Sequence, residues 1–261
     1  MRFFSRLFDR PATPPTNPAV VYTCETPPTI ELHTDHADVH MHTHAAMQIM
    51  VEFSDECFDQ PLAVTSAGWG YDAASNTFRL DQRAIERRSL RQSDLTVFVP
   101  EQATVILRSA GGDLHLTGRY QAAHLETAGG DIDTRDAVAT SLTIDTAGGD
   151  VEATAHGATQ IRSAGGDIDV DVTGQATVQI QTAGGDVDIE IHAACTIEAV
   201  THGGDIDVRI DRGYETDVDA TTTIGDIKSD IVFSANDGDA APVDVSLRLR
   251  SYAGDIDIRQ G

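Results

Sequence analysis

The chain has 261 residues, enough for one elongated domain, and carries 42 acidic against 18 basic side chains, a formal net charge of −24. That balance excludes a nucleic-acid-binding surface and works against contact with anionic lipid. Three cysteines (Cys24, Cys57, Cys195) are too sparse for a disulfide framework, and no apolar run is long enough to span a membrane as a helix.

Residues 1–28 read as a tail and linker. The opening MRFFSRLFDR is basic and apolar but lacks the apolar core and small-residue cleavage site of a secretion signal. It is either a flexible start or a short amphipathic peg with Phe3, Phe4, Leu7 and Phe8 near one face. A peg this short holds a membrane weakly unless many copies act together. The Pro-rich run PATPPTNP then serves as an extended linker. The expected setting is cytoplasmic, or peripheral to a membrane.

Residues 29–261 read as one β-solenoid domain. Near its start, Leu32, Thr34, Asp38, Val39 and Met41 form a degenerate first coil, with His36-Ala37 where later coils carry glycines. Residues 46–100 interrupt the pattern with strand-like runs at Met47–Phe53, Leu62–Thr65, Thr77–Leu80 and Leu95–Val99. Most of the aromatic residues, Trp69 included, lie before residue 101. This segment is expected to be a β-rich cap over one end of the stack.

From residue 101 a phrase close to Ser/Thr-Ala-Gly-Gly-Asp-Ile-Asp-Val recurs eight times. Its first aspartates are Asp113, Asp131, Asp150, Asp167, Asp186, Asp205, Asp226 and Asp255. Most gaps are 17–19 residues, and the last two stretch to 21 and 29. That period is too short for a helical-hairpin repeat and fits one coil of a parallel β-solenoid. Aliphatic residues stand six before the aspartate (Leu107, Leu125, Ile144, Ile161, Ile180) and one after it (Leu114, Ile132, Val151, Ile168, Val187). The apolar parity shifts by one across the glycines, which marks a corner between two strands. The corner glycines are Gly129, Gly130, Gly148, Gly149, Gly165, Gly166, Gly184, Gly185, Gly203 and Gly204. The fold expected is an all-β, single-stranded parallel β-solenoid of eight or nine coils, right-handed by the usual crossover preference. At about 4.8 Å per coil, eight coils make a rod roughly 40 Å long.

The stretches HTDHADVHM, FVPEQATVILRSAGGDLHLTG, SLTIDTAGGDVEA, TVQIQTAGGDVDIEI and SYAGDIDIRQ resemble bacterial adhesin-like domains of unknown function. Those domains carry repeated T-x-x-G-D-I/V-x-V phrases, and the likeness covers about residues 29–261. It implies a β-solenoid, a surface or envelope role and no catalytic residues. A weaker likeness, in architecture alone, is to bactofilins, parallel β-helices that polymerise end to end.

Two readings compete for the acidic columns. The first aspartates can cap their corner by accepting backbone N–H groups. Alternatively, Asp131, Asp133, Asp150, Asp167, Asp169, Asp186, Asp188, Asp205 and Asp207 can form a Ca²⁺ ladder, since stacked coils offer the many oxygens that Ca²⁺ needs. Like charges one coil apart repel by about 1 kcal/mol in water and about 3.5 kcal/mol at an effective permittivity near 20. Something must offset this: cations, raised pKa values or splayed side chains. His40, His42 and His44 alternate on one strand with His36 nearby, a set with Zn²⁺ or Ni²⁺ chemistry. Same-face neighbours are nearly 7 Å apart, however, which favours a plain polar face.

The Gly-Gly-Asp motif is always followed by an aliphatic residue, so it is a corner and not a cyclic-dinucleotide synthesis signature. No phosphate-binding loop or nucleophile elbow occurs. A pectinase-like enzyme would need an aromatic-lined groove, and after residue 100 the aromatic residues are Tyr120, Tyr214, Phe233 and Tyr252. The expectation is a non-enzymatic structural or interaction protein without a cofactor, Ca²⁺ apart. It would present carboxylates to an unidentified protein or surface partner and not to nucleic acid. The alternatives are a scaffold polymerising through its end coils and a Ca²⁺-dependent carbohydrate or surface binder. The final strand, ending at Ile256–Gly261 with Arg248, Arg250 and Arg259 nearby, is expected to be the open edge for such assembly.

Overall fold

A computed structural model describes residues 18–54, 68–85, 90, 92–231 and 243–261. The amphipathic start, the run Leu62–Thr65, Cys57 and Phe233 lie outside the described residues. The chain is an all-β parallel solenoid built from two facing sheets. Each coil climbs a back strand, turns at the Gly-Asp corner and returns along a front strand. Thus β11 (Ala137–Thr146), β13 (Ala158–Ser163), β15 (Ala176–Thr182) and β17 (Cys195–Thr201) stack in the back sheet. β10 (Ile132–Thr134), β12 (Val151–Ala155), β14 (Ile168–Val172), β16 (Val187–Ile191) and β18 (Ile206–Ile210) stack in the front sheet. β9 (Leu114–Thr127) belongs to both sheets and bends at Gly118.

Period-two alternation places one residue set inside. Ile144, Ile161, Ile180 and Ala199 align in register on the back sheet. Ile132, Val151, Ile168, Val187 and Ile206 do the same on the front sheet. All are buried. Each aliphatic side chain so buried contributes about 1.5–3 kcal/mol, and the like-on-like stack is what removes it from water.

The two glycines of the corner differ. A Cβ on Gly166 would lie 2.1 Å from the carbonyl oxygen of Gly149, and Gly185 has the same clash with Gly166. Gly149, Gly166 and Gly185 also hold φ near +90°. The preceding residues, Gly129, Gly148, Gly165, Gly184 and Gly203, face open space or distant atoms. In the regular array only the second position therefore needs glycine, and the sequence agrees: Ile224 and Ala253 stand at the first position of the two irregular coils, while the degenerate coil outside the array carries Ala37 at the second. Inside the corner, the buried Thr127 hydroxyl accepts the Gly130 N–H at 3.1 Å, and Ser163 accepts that of Gly165 at 3.1 Å.

The ends depart from chain order. β2 (Thr29–Thr34) and β3 (Val39–His44) form a coil that pairs on one side with β8 (Ala103–Ser109) and β9. On its other side lie β6 (Thr77–Asp81) and β7 (Leu95–Pro100), both parallel. This outer coil carries Asp94 at the corner position, with Leu95-Thr96-Val97 in the place of Ile-Asp-Val. Antiparallel strands follow it: β4 (Gln48–Phe53) and then β1 (Val20–Thr23) on the front, β5 (Trp69–Asp72) on the back.

At the other end, β21 (Val245–Ser251) and β22 (Ile256–Gln260) sit between β17/β18 and the coil made by β19 (Thr216–Thr222) and β20 (Ile227–Ser229). The last coil in sequence is thus an interior layer, and the expected open edge at Ile256–Gly261 is corrected. The reason is apolar content. β21 offers fully buried Val245, Leu247 and Leu249, whereas β19 offers only Val218 and Ala220 against the core.

Candidate functional site

The corner aspartates form a continuous ladder. The N–H of Asp131 donates to Asp113 Oδ1 at 2.9 Å, Asp150 to Asp131 at 2.8 Å and Asp167 to Asp150 at 2.9 Å. Asp186 donates to Asp167 at 2.9 Å and Asp205 to Asp186 at 2.8 Å. The ladder runs on through Asp255 to Asp226 at one end and through Asp38 to Asp94 at the other. The next backbone rung is ordinary: Ile132 N–H donates to the Asp150 carbonyl, and Val151 to that of Asp167. At the sharp corner the carboxylate supplies the acceptor that a strand carbonyl supplies elsewhere.

The second acidic column lies on the outer face of the front sheet. Asp133, Glu152, Asp169, Asp188, Asp207 and Asp257 are cross-strand neighbours in register. A groove of about 380 Å³ opens over Glu152, Asp169, Asp188 and Asp207 and over Asp171 and Glu190, and Arg135, Arg209 and Arg259 also line it. Arg135 reaches Asp133 at 2.8 Å and Glu152 at 2.6 Å, Arg209 pairs with Glu190, and Arg259 with Asp257 at 2.5 Å. Among the described residues Asp169, Asp188 and Asp207 form no ion pair, although the charge of Arg209 bears on Asp188. Partial burial and the neighbouring Asp188 push the Asp169 carboxyl up to about 6. Burial followed by Asp207 raises Asp188, and burial followed by Glu190 raises Asp171. At Asp133 burial acts the same way, but hydrogen bonds from His115 and Arg135 outweigh it and hold the carboxyl well below the usual range.

The acidic column changes character toward the capped end. His115 stands in register with Asp133, and His40 with His115, their rings 5.7 Å apart. Burial, then His115, lowers His40, and burial brings His42 down to about 4. His42 Nδ1 lies 2.7 Å from Thr117 Oγ1, and His44 Nε2 lies 2.7 Å from the Gln48 carbonyl oxygen. These nitrogens face partners on two different strands, β9 and β4, and do not meet at one point. His36 is exposed at its corner. The described histidines of this strand are half-buried rather than an exposed polar face.

The repeat phrases and the parallel two-sheet stack decide the family. A comparison with protein families matches residues 29–259 to Toastrack DUF4097. The chain belongs to the Toastrack family. A comparison with curated proteins finds no match. Toastrack is an uncharacterised repeat family, and membership agrees with a structural or interaction role.

In this Toastrack chain the nine aspartates considered for a Ca²⁺ ladder fall into two groups. Asp131, Asp150, Asp167, Asp186 and Asp205 each give one oxygen to a backbone N–H. Asp133, Asp169, Asp188 and Asp207 face the groove or its edge. Sequence reasoning missed Asp171, Glu190, Arg135 and Arg209. Asp171, Glu190 and Arg209 lie one alternation further along their front strands, where the spacing already put them on the same face as the second column, and Arg135 holds the same offset just past the end of β10. It also missed His192, which follows β16 and converges with Asp171 and Glu190.

Proposed function

We propose that this Toastrack chain is a non-enzymatic interaction protein whose front-sheet groove receives a cationic partner, in the adhesin-like sense of a rigid solenoid presenting a surface. The observation that carries the reading is the row Asp169, Asp188 and Asp207: neighbouring carboxylates that form no ion pair among the described residues, while the arginines lining the groove pair with Asp133, Glu152, Glu190 and Asp257. Unrelieved repulsion of this kind is lowered by any bound positive charge. The regular spacing of the column supports display rather than catalysis.

Calorimetric titration of the full chain with a lysine decamer tests this, at low and at raised salt. Binding is expected to weaken at least tenfold with salt and with Asp169→Asn/Asp188→Asn combined. No binding at low salt overturns the reading. If excess Ca²⁺ alone gives the stronger, specific heat, the groove is a cation site in its own right.

A second reading, end-to-end assembly as in bactofilins, has its own support. Among the described residues, antiparallel strands close one end of the stack, while β19 and β20 lie outermost at the other. Ile224 and Ile227 are exposed there. Negative-stain imaging of wild type and Ile227→Lys tests it. Filaments lost in the variant support it, and single short rods in wild type count against it.

A further inference from the structure

One cluster stands apart from the repeating columns. Asp171 on β14 and Glu190 on β16 are cross-strand neighbours, and His192 follows two residues after Glu190. One ligating atom from each lies within 4.8 Å of the others, and among the described residues no other three-membered group of this kind converges so closely. The individual atoms are already sorted. Glu190 Oε1 faces Arg209, which leaves Oε2 turned to His192 Nε2 at 3.8 Å. That gap is too long for a hydrogen bond. Two ligands at about 2.0–2.2 Å from a tetrahedral ion stand roughly 3.3 Å apart, so a small inward movement closes the set.

A second observation concerns the far side of the ring. His192 Nδ1 lies 2.9 Å from Asp211 Oδ2. A carboxylate at Nδ1 fixes the tautomer with the proton there and leaves the Nε2 lone pair directed at Glu190. This is the arrangement that orients and strengthens metal-binding histidines. The backbone fixes the ring's base as well: His192 N–H donates to the Val172 carbonyl at 2.9 Å, and the His192 carbonyl accepts from the Tyr214 hydroxyl at 2.7 Å. In the coils of β12, β14, β18 and β22 the equivalent of Glu190 is Thr154, Asp171, Arg209 or Arg259, and in the first three of these the equivalent of His192 is His156, Thr173 or Asp211; His156 follows Thr154, so the one other histidine at this place has no carboxylate two residues before it. The set therefore occurs once in the regular array and is not a product of the repeat.

We infer that Asp171, Glu190 and His192 form a site for one divalent first-row transition ion, with Asp211 as the positioning residue. Imidazole with two carboxylates suits Zn²⁺ and its neighbours, while Ca²⁺ and Mg²⁺ take oxygen sets. The site stands whether or not the groove also binds a cationic partner. It needs no contribution from Asp169, Asp188 or Asp207.

The test is calorimetric titration of the full chain with ZnCl₂ alone. Wild type is expected to bind one ion more tightly than the His192→Asn variant does, by at least tenfold. Asp211→Asn should weaken that event about 10–100-fold, as loss of an outer-shell partner does. Glu126→Gln, on the back sheet, should leave it unchanged, and a large excess of Ca²⁺ should not abolish it. The imidazole NMR signals of His192 should shift on saturation. Equal zinc binding by wild type and His192→Asn, or complete displacement by Ca²⁺, overturns the site. A lysine decamer that fails to bind the same wild-type protein bears on the groove reading only.

Discussion

Asp167 and Asp169 stand two residues apart in one phrase and live under opposite rules. Asp167 has its carboxylate tied to the next coil's backbone, 2.9 Å from the Asp186 N–H. Asp169 has Glu152 and Asp188 for cross-strand neighbours, and partial burial with the nearby acids pushes its carboxyl up to about 6. The corner column turns negative charge into structure. The face column leaves it as potential, available to whatever arrives. A stacked repeat multiplies both effects, because each residue meets its own copy above and below.

Three pairs of variants break or sharpen this contrast. The largest effect is expected at the corner glycine. Gly166→Ala places a Cβ against the Gly149 carbonyl oxygen at a positive φ. It should destabilise by about 3 kcal/mol in urea unfolding, against less than about 0.5 kcal/mol for Gly165→Ala. Equal losses at both positions would show that the close stacking at the second glycine is not what shapes the corner.

The intermediate effect belongs to the carboxylate itself. Asp167→Ala leaves the Asp186 N–H without its acceptor and is expected to lose about 1 kcal/mol, most of which Asp167→Asn restores because an amide oxygen still accepts. Identical stabilities for the two variants would remove the capping role.

The smallest effect carries a sign. A raised carboxyl makes the folded state hold its proton more tightly than the unfolded one. Stability is thus lost as pH rises from about 4 through about 6. Asp169→Asn should therefore raise Tm at pH 7 by about 1–2 °C, discounted for its exposure, and give no gain at pH 4. Asp133 has the opposite sign. Its carboxyl is held low by His115 and Arg135, so its contribution is present at neutral pH and is lost as pH falls below the ordinary carboxylate range. Asp133→Asn should lower Tm at pH 7. Matching shifts in the two variants would mean that the column behaves as one uniform field.

Much of this was open to reading before any coordinates. The inward ladders Ile144–Ile161–Ile180 and Val151–Ile168–Val187 follow from period-two alternation and a constant offset from the corner. So does the acidic face. Other features were hidden for identifiable reasons. Asp94 lacks glycines before it, so its coil did not look like a repeat, although Leu95-Thr96-Val97 has the right alternation. His192 lies just beyond its strand, outside the aligned columns. The layer order at the ends depends on competition between whole strands for one seat, and offset counting assumes that chain order and stacking order agree.

That last mismatch bears on how the protein is made. A ribosome delivers β19 and β20 before β21 and β22, so the poorer tenant reaches the exposed flank of β17 and β18 first. Thr216, Val218 and Ala220 occupy the register that Val245, Leu247 and Leu249 will claim. The finished order requires the early arrival to stay off, or to be displaced outward when the leucines emerge. A copy of the β21–β22 coil placed directly after β22 in sequence would meet a flank already filled by β19 and β20, and would have to displace them or stack outside them.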